Sequence, residues 1–295
     1  MPADISKRLA RRLLARGAHI VIIALLGALA TALLVRYSPG FGVDERELDS
    51  HLSSQSIQAV RAEYSNQQNV LAFFSNFVRQ LTRGDLGISN SLHQPISEIL
   101  RDRVPVTLKE MAMALLVAWL GAIALSFGAT ALRSAYADAA LSVLAVVLFS
   151  SPAAVTALLL VIIGGPVTLA LALILLPTIF RYTRNILNSA CRHECIMAAR
   201  SRGIPLHRIL FLHVLPLSIS QIVALAGVSV SMAFGASIPV EVVSDVAGAG
   251  QLAWQAAVAR DLPLLVTLTA AVTLVTLLAN TTSDLVIEVL SPGAK

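Results

Sequence analysis

Cys191 to Pro216 reads C-R-H-E-C-I-M-A-A-R-S-R-G-I-P-L-H-R-I-L-F-L-H-V-L-P and separates two strongly apolar stretches. Its first half suits a short helix with two small residues, Ala198 and Ala199, on the surface. Gly203 fits the position just past a helix end, where a positive φ is wanted. Arg200 and Arg202 fall in the last turn, where cations suit the helix dipole. Pro205 can open a second helix. Leu206, Ile209 and Leu210 recur at i, i+3, i+4 and give that helix an apolar face. The stretch is therefore a helix–bend–helix between two membrane spans, presenting small residues and positive charge. On these residues alone an ordinary positive cytoplasmic loop is an equally good reading.

Composition sets the class. Hydrophobic residues make up 56% of the 295-residue chain and charged residues 13%, against about 25% charged in soluble domains. That balance describes a polytopic membrane protein. The net charge of +5 follows from a positive-inside bias and does not call for nucleic acid. The two cysteines, Cys191 and Cys195, flank His193 in the central loop. Two thiols and one imidazole are a poor metal set, so they are read as reduced and structural, with no disulfide framework. The sequence predicts no catalytic, cofactor-binding or metal-binding residues.

Working outward, Lys7, Arg8, Arg11, Arg12 and Arg16 precede the first apolar run, Gly17 to Tyr37. The run is long enough to cross a bilayer, and the charges place the N-terminus in the cytoplasm. The lack of a small-residue cleavage site favours a retained helix over a signal peptide. A hydrophilic segment follows, with eight acidic and six basic residues from Asp44 to Arg103. It belongs outside, and its amphipathic stretch Val70 to Leu81 needs a surface to cover. A Gly-rich turn before a helix starting near Pro95 is one reading of its end.

Further spans are expected over roughly Met111–Leu132, Ala139–Ile163, Val167–Leu187, Leu217–Ile238 and Leu264–Val286. Thr107 is placed to cap the second, with Glu110 as capping-box partner. Pro152 falls inside the third, a site tolerable where neighbours satisfy the freed carbonyl. Gly227, Ser229, Ser231 and Gly235 in the fifth permit close packing or line a pathway; both readings stay open. Asp284 in the sixth invites a proton-relay reading, and its place near the interface favours a structural role. Pro239 to Asp261 is an outer loop. Six arginines and one acid, Glu194, lie between Arg181 and Arg208, so that loop faces the cytoplasm.

Several of these stretches resemble one family. Met197-Ala198-Ala199-x3-Gly203 with Leu215-Pro216 looks like the EAA loop of binding-protein-dependent ABC importer permeases. Met197 stands where Glu is usual, and His213 where Ile or Val is usual. Arg83-Gly84-Asp85-Leu86-Gly87-Ile88-Ser89 with Pro95-Ile96 resembles the R-G-D-L-G-x-S…P-V signature of dipeptide, oligopeptide and nickel permeases. Pro105-Val106-Thr107-Leu108 is similar to P-x-T-L, and Arg181 to Arg184 to R-x-T-R. Gly248, Gly250, Arg260 and Asp261 fall in a match to P-G-x-G-x-L…R-D-Y-P, with Ala247 in place of the leading Pro. Asn280 and Asp284 match N-x-x-x-D. The turn Gly164–Pro166 is shorter than the family's connection there. The motifs run in order from Arg11 to Pro292.

The resemblance implies an all-α polytopic membrane protein with the six transmembrane helices of the type I ABC importer permease fold. It implies residues 1–106 as cytoplasmic N-terminus, first helix and extracytoplasmic segment. Residues 107–290 would be the permease domain, with a coupling loop at about 191–216, and 291–295 a cytoplasmic tail. Glu194, Ala198, Ala199, Arg200, Arg202, Gly203, Leu215 and Pro216 would form the ATPase-coupling loop. Gly84, Asp85, Leu86, Gly87, Ser89, Gly248, Gly250, Arg260 and Asp261 would be extracytoplasmic motif residues. The implied partners are a second homologous permease, two ATPases, an extracytoplasmic binding protein and membrane lipid.

The implied cargo is a dipeptide or oligopeptide, with nickel chelates or opines as alternatives, moved across a bacterial inner membrane. No lysine follows a glycine as a P-loop needs, so ATP-Mg would bind only in partner subunits. A secondary transporter would need an ion-coupling site, and the span interiors offer almost no ionisable residues apart from Asp284. An intramembrane enzyme would need an H-E-x-x-H or G-x-S-x-G, and neither occurs.

Overall fold

A computed structural model describes residues 2–38, 70–132 and 135–290. Among them the secondary structure is helical, with one isolated bridge between Ile88 and Pro95. The helices are α1 (Pro2–Arg36), α2 (Val70–Thr82), α3 (Ile96–Leu132), α4 (Ala135–Ser150), α5 (Ala153–Ile162) and α6 (Val167–Cys191). They continue with α7 (Glu194–Ser201), α8 (Leu206–Ile209), a π-helical turn (Leu210–Val214), α9 (Leu215–Val243), α10 (Ala249–Val258) and α11 (Leu262–Leu290). Five helices are long and apolar enough to cross a membrane, and the bent pair α4–α5 makes a sixth span if counted as one. The expected hydrophilic segment falls partly on 39–69, outside the described residues, as does the tail 291–295.

The chain divides into two compact units. The first comprises Met1–Val104 and Leu252–Val275. In it, Ile20, Ala24, Ala28 and Ala32 recur every four residues and form the buried stripe of α1, while Leu26 and Leu34 point outward. Ala28 and Ala32 pack with Val70 and Phe77 of α2 and Leu262 and Val266 of α11. Thus α2 is the expected amphipathic helix, and its apolar side is covered by α1 and α11. A second cluster joins Ile96 and Ile99 of α3 to Leu252, Ala256, Leu264 and Leu268.

The second unit comprises Pro105–Gln251 and Thr276–Lys295. Along α3 the buried positions are Met111, Ala114, Ala118, Ala122, Ser126 and Ala129, with Met113, Leu116 and Leu120 exposed. Small side chains face neighbouring helices and large apolar ones face outward, as expected where close packing rather than water exclusion drives helix association. A Cβ on Gly121 would lie 2.8 Å from Leu176 of α6. A Cβ on Gly227 would lie 2.6 Å from Ser283 Oγ and 3.0 Å from Asn280 Oδ1 on α11. Close packing therefore explains Gly227, whereas Gly235 has open space around it. Ser229 accepts a hydrogen bond from Trp119 Nε1 at 3.2 Å.

Three expectations need correction. The second span does not open at Thr107: α3 starts at Ile96 and carries Pro105 inside it. At 37 residues it is about 55 Å long, well beyond the ~30 Å hydrocarbon core. Thr107 is fully buried mid-helix, and Glu110 accepts a hydrogen bond from Thr168 rather than closing a capping box. Secondly, the third span is not continuous: α4 and α5 meet at Ser151-Pro152 with a 93° bend. Proline lacks the N–H and clashes with the preceding turn, and Pro152 becomes the N-cap of α5. Thirdly, Pro239 lies inside α9, and the expected outer loop contains the helix α10.

Candidate functional site

The central loop folds as a small supported platform. Ile196 and Ala199 of α7 pack with Ile209, Leu210 and Val214 and with Leu187 near the end of α6. Phe127 of α3 and Ile204 lie against the same cluster, and the Phe127 and Phe211 rings stack with centroids 5.6 Å apart. Gly203 has φ +73°, the left-handed bend the sequence predicts, and Ile204 N–H returns to Ala199 O. The second helix shrinks to α8 and passes through the π-helical turn into α9, with Pro216 in the first turn.

The platform presents one side only. Met197, Ala198, Arg202 and Gly203 are exposed, as is Glu194 at the start of α7. Leu215 is half-buried and Pro216 exposed. Arg200 lies in α7, and its side chain is outside the described set. Ala199 is 5% exposed, which corrects the expectation that both alanines lie on the surface. On a 3.6-residue helix, positions 196 and 199 share a face, so Ala199 follows Ile196 inward while Ala198 points out.

Two family-like motifs, far apart in sequence, meet in the first unit. Gly84 and Gly87 take φ of +77° and +79°, and Asp85 Oδ1 accepts from Gly87 N–H at 2.9 Å. Leu86 packs on the Ile96 cluster. Gly87 O accepts from Ile96 N–H at 3.0 Å, which ties the turn to the start of α3. Ser89 is fully buried, and its hydroxyl donates to Asp261 Oδ2 at 2.5 Å. Ser91 adds its N–H (2.9 Å) and hydroxyl (2.7 Å) to the same oxygen. Asp261 Oδ1 accepts from Leu264 N–H at 3.1 Å, the N-cap bond of α11. Arg260 before it sits at φ +51°. A carboxylate 1% exposed is tolerable because donors reach both oxygens.

A second buried carboxylate lies in the other unit. Glu241 near the end of α9 is 2% exposed. Thr107 donates its hydroxyl to Glu241 Oε1 at 2.6 Å, and Gln251 N–H donates to Oε2 at 3.0 Å. Ala249 N–H donates to Thr107 Oγ1 at 2.7 Å. Gly248 and Gly250 are what let the chain pass so close: a Cβ on Gly248 would overlap the Glu241 carboxylate and sit 2.5 Å from Thr107 Oγ1. Sequence reasoning singled out the glycines and Thr107 but missed Glu241. Its signal is present, since Glu241 is the only acid between Glu194 and Asp245 and sits in an apolar stretch. Among the described residues no cluster of His, Cys, Asp or Glu is arranged to hold a metal.

The apolar spans define the class, a multi-pass helical membrane protein. The chain belongs to the binding-protein-dependent transport system inner membrane components, whose family model matches residues 122–295. It is therefore a permease of an ABC importer that works with a binding protein and an ATPase. A *Brucella abortus* protein provisionally named as a peptide transport system permease is 26% identical over 279 residues, covering 85% of this chain and 88% of that protein. A *Brucella ovis* protein provisionally named as a peptide permease is 25% identical, covering 94% and 98%. A *Staphylococcus aureus* nickel import system permease is 24% identical, covering 96% and 91%.

Proposed function

We propose that this chain is one of two homologous permease subunits of an importer for dipeptides or oligopeptides, and that α7 is its coupling element. The observation that carries the proposal is the platform: small and positive groups exposed on one side, an apolar cluster fixing the other. A rigid, shallow face with little side-chain bulk suits backbone-level contact with a cleft on another protein. Glu194, Ala198, Arg200, Arg202 and Gly203 would meet the ATPase. Ala199, Leu215 and Pro216 would hold the platform to α6 and α9.

Two ATPases would bind ATP-Mg, close, and push on α7, and the spans would re-orient between inward- and outward-facing states. Both termini would be cytoplasmic. The outer motifs around Ser89, Asp261 and Gly248 would stand on the side where a binding protein delivers cargo. In this reading residues 1–106 are the first helix with its outer segment, 107–290 the permease domain and 291–295 a tail. Nickel chelates are the second reading of the cargo, favoured by the name of the *Staphylococcus* relative.

The test is reconstitution with the second permease, the ATPases and the binding protein encoded beside it. Peptide-loaded binding protein should stimulate ATP hydrolysis and drive peptide uptake. Stimulation by nickel-loaded binding protein alone would move the cargo to the second reading. No stimulation by any loaded binding protein would overturn the coupling role.

A further inference from the structure

A cavity of about 310 Å³ in the second unit is lined by Phe149 of α4 and by Thr178, Arg181, Tyr182 and Asn185 of α6. The four α6 residues fall at i, i+3, i+4 and i+7, so they form one stripe along a single helix face. That stripe lies within a helix long and apolar enough to span. Arg181 is fourteen residues from its Val167 end, about 21 Å along the axis. Phe149 is ten residues past Ala139, about 15 Å along α4.

The guanidinium carbon lies 5.3 Å from the centroid of the Phe149 ring. This cation–π contact draws the guanidinium toward the Phe149 ring. Among the described residues no carboxylate lines the cavity. A cation within a candidate span is costly, and such residues face water-filled cavities or pathways. Here Arg181 and Asn185 are exposed, with Thr178 half-buried. The described set offers a forked cation and two neutral donors, flanked by two rings. That is recognition chemistry for a planar oxyanion.

We propose that this cavity is a carboxylate-binding station for the cargo on its way through the membrane, with Arg181 as the charge partner and Thr178 and Asn185 as orienting donors. Assigning the carboxylate to a travelling cargo rests on the importer reading above. A peptide with a free C-terminus supplies such a group. Phe149 is then a positioning residue, acting through the place it gives the guanidinium.

The test uses the complete reconstituted importer in phosphatidylcholine nanodiscs, with Cys191→Ser, Cys195→Ser and Asn185→Cys. The rates of modification at position 185 by an anionic and a cationic methanethiosulfonate of similar size are compared. The anionic reagent should win by on the order of five-fold. That preference should vanish in Arg181→Gln, persist in Arg181→Lys and weaken in Phe149→Leu. Millimolar trialanine should slow the modification, and trialanine amide should not.

An equal rate for the two reagents, or a preference unchanged by Arg181→Gln, overturns the proposal. If Arg181→Gln fails to assemble, equal protection by trialanine and its amide in the Arg181 protein overturns it alone. Protection by added phosphatidylglycerol in place of trialanine makes the occupant a lipid headgroup and also overturns it. Uptake of trialanine from its binding protein is measured in parallel on the importer with Asn185 intact. Carboxylate protection without uptake sinks the peptide reading and keeps the station. Uptake without protection does the reverse.

Discussion

Ser89 and Asp261, 172 positions apart in sequence, are joined by a 2.5 Å hydrogen bond in which the buried serine hydroxyl donates to Asp261 Oδ2. The two family-like motifs are thus halves of one structure. The Gly84–Gly87 turn brings Ser89 and Ser91 to the carboxylate, and Asp261 passes the same charge to the N-terminus of α11.

Ser89→Ala should lower stability by about 1.5–3 kcal/mol, the range for a hydrogen bond to a charged group. Asp261→Ala should cost more, because it strands the donors of Ser89, Ser91 and Leu264. The double variant should be less destabilised than the sum, since each change removes the shared bond. Denaturation of the purified complex in detergent measures this cycle. Strict additivity would show that the bond is not formed in the membrane.

Gly248→Ala should abolish or severely reduce assembled protein, because its Cβ would overlap the Glu241 carboxylate beside Thr107. Gly235→Ala, with nothing within 4 Å of the new Cβ, should be neutral or slightly stabilising through helix propensity. Membrane-level blots and melting temperatures compare the two. Equal behaviour would mean that the Thr107–Glu241–Gln251 cluster does not pack as described.

On the platform, Ala198→Glu and Ala199→Glu should part company. Ala199 is buried among Leu187, Ile196 and Ile209, so a carboxylate there should destabilise by several kcal/mol and deplete the protein. Ala198→Glu should insert and assemble normally, yet lose ATPase stimulation by loaded binding protein. If Ala198→Glu keeps full stimulation in the reconstituted importer, α7 is not the coupling contact.

Gly203→Asn should retain stimulation, because asparagine tolerates the left-handed region. Gly203→Val should lose it, because a β-branched residue at φ +73° is strongly disfavoured. Open space around the site makes backbone conformation the only cause. Equal activity of the two variants would detach the bend from coupling.

The arginine asymmetry predicts an orientation with the Arg181–Arg208 loop in the cytoplasm. In Cys191/Cys195-free cells, Ser201→Cys should resist a membrane-impermeant thiol reagent and Thr82→Cys should react. Both positions are exposed on the described surface. The opposite pattern would invert the topology.

Much of this architecture is written in local chemistry. Span lengths follow from runs of apolar residues, and Gly203, Gly84 and Gly87 mark the bends where only a positive φ closes the turn. The spacing of Val70, Phe73, Phe74 and Phe77 reports the amphipathic α2, because one side of that helix is polar. The loop from Cys191 to Pro216 is legible for the same reason: polar and apolar positions alternate at the helix period.

Inside the spans that contrast disappears, since lipid and protein core are equally apolar. Hence the sequence does not say that Gly227 packs on Ser283 while Gly235 stays open, or that Ser151-Pro152 breaks a span by 93°. Nor does it pair Thr107 with Glu241 across 134 positions, or Ser89 with Asp261. A buried carboxylate is stable only where donors converge on it. That convergence is a property of the folded chain, so only the tertiary structure decides it.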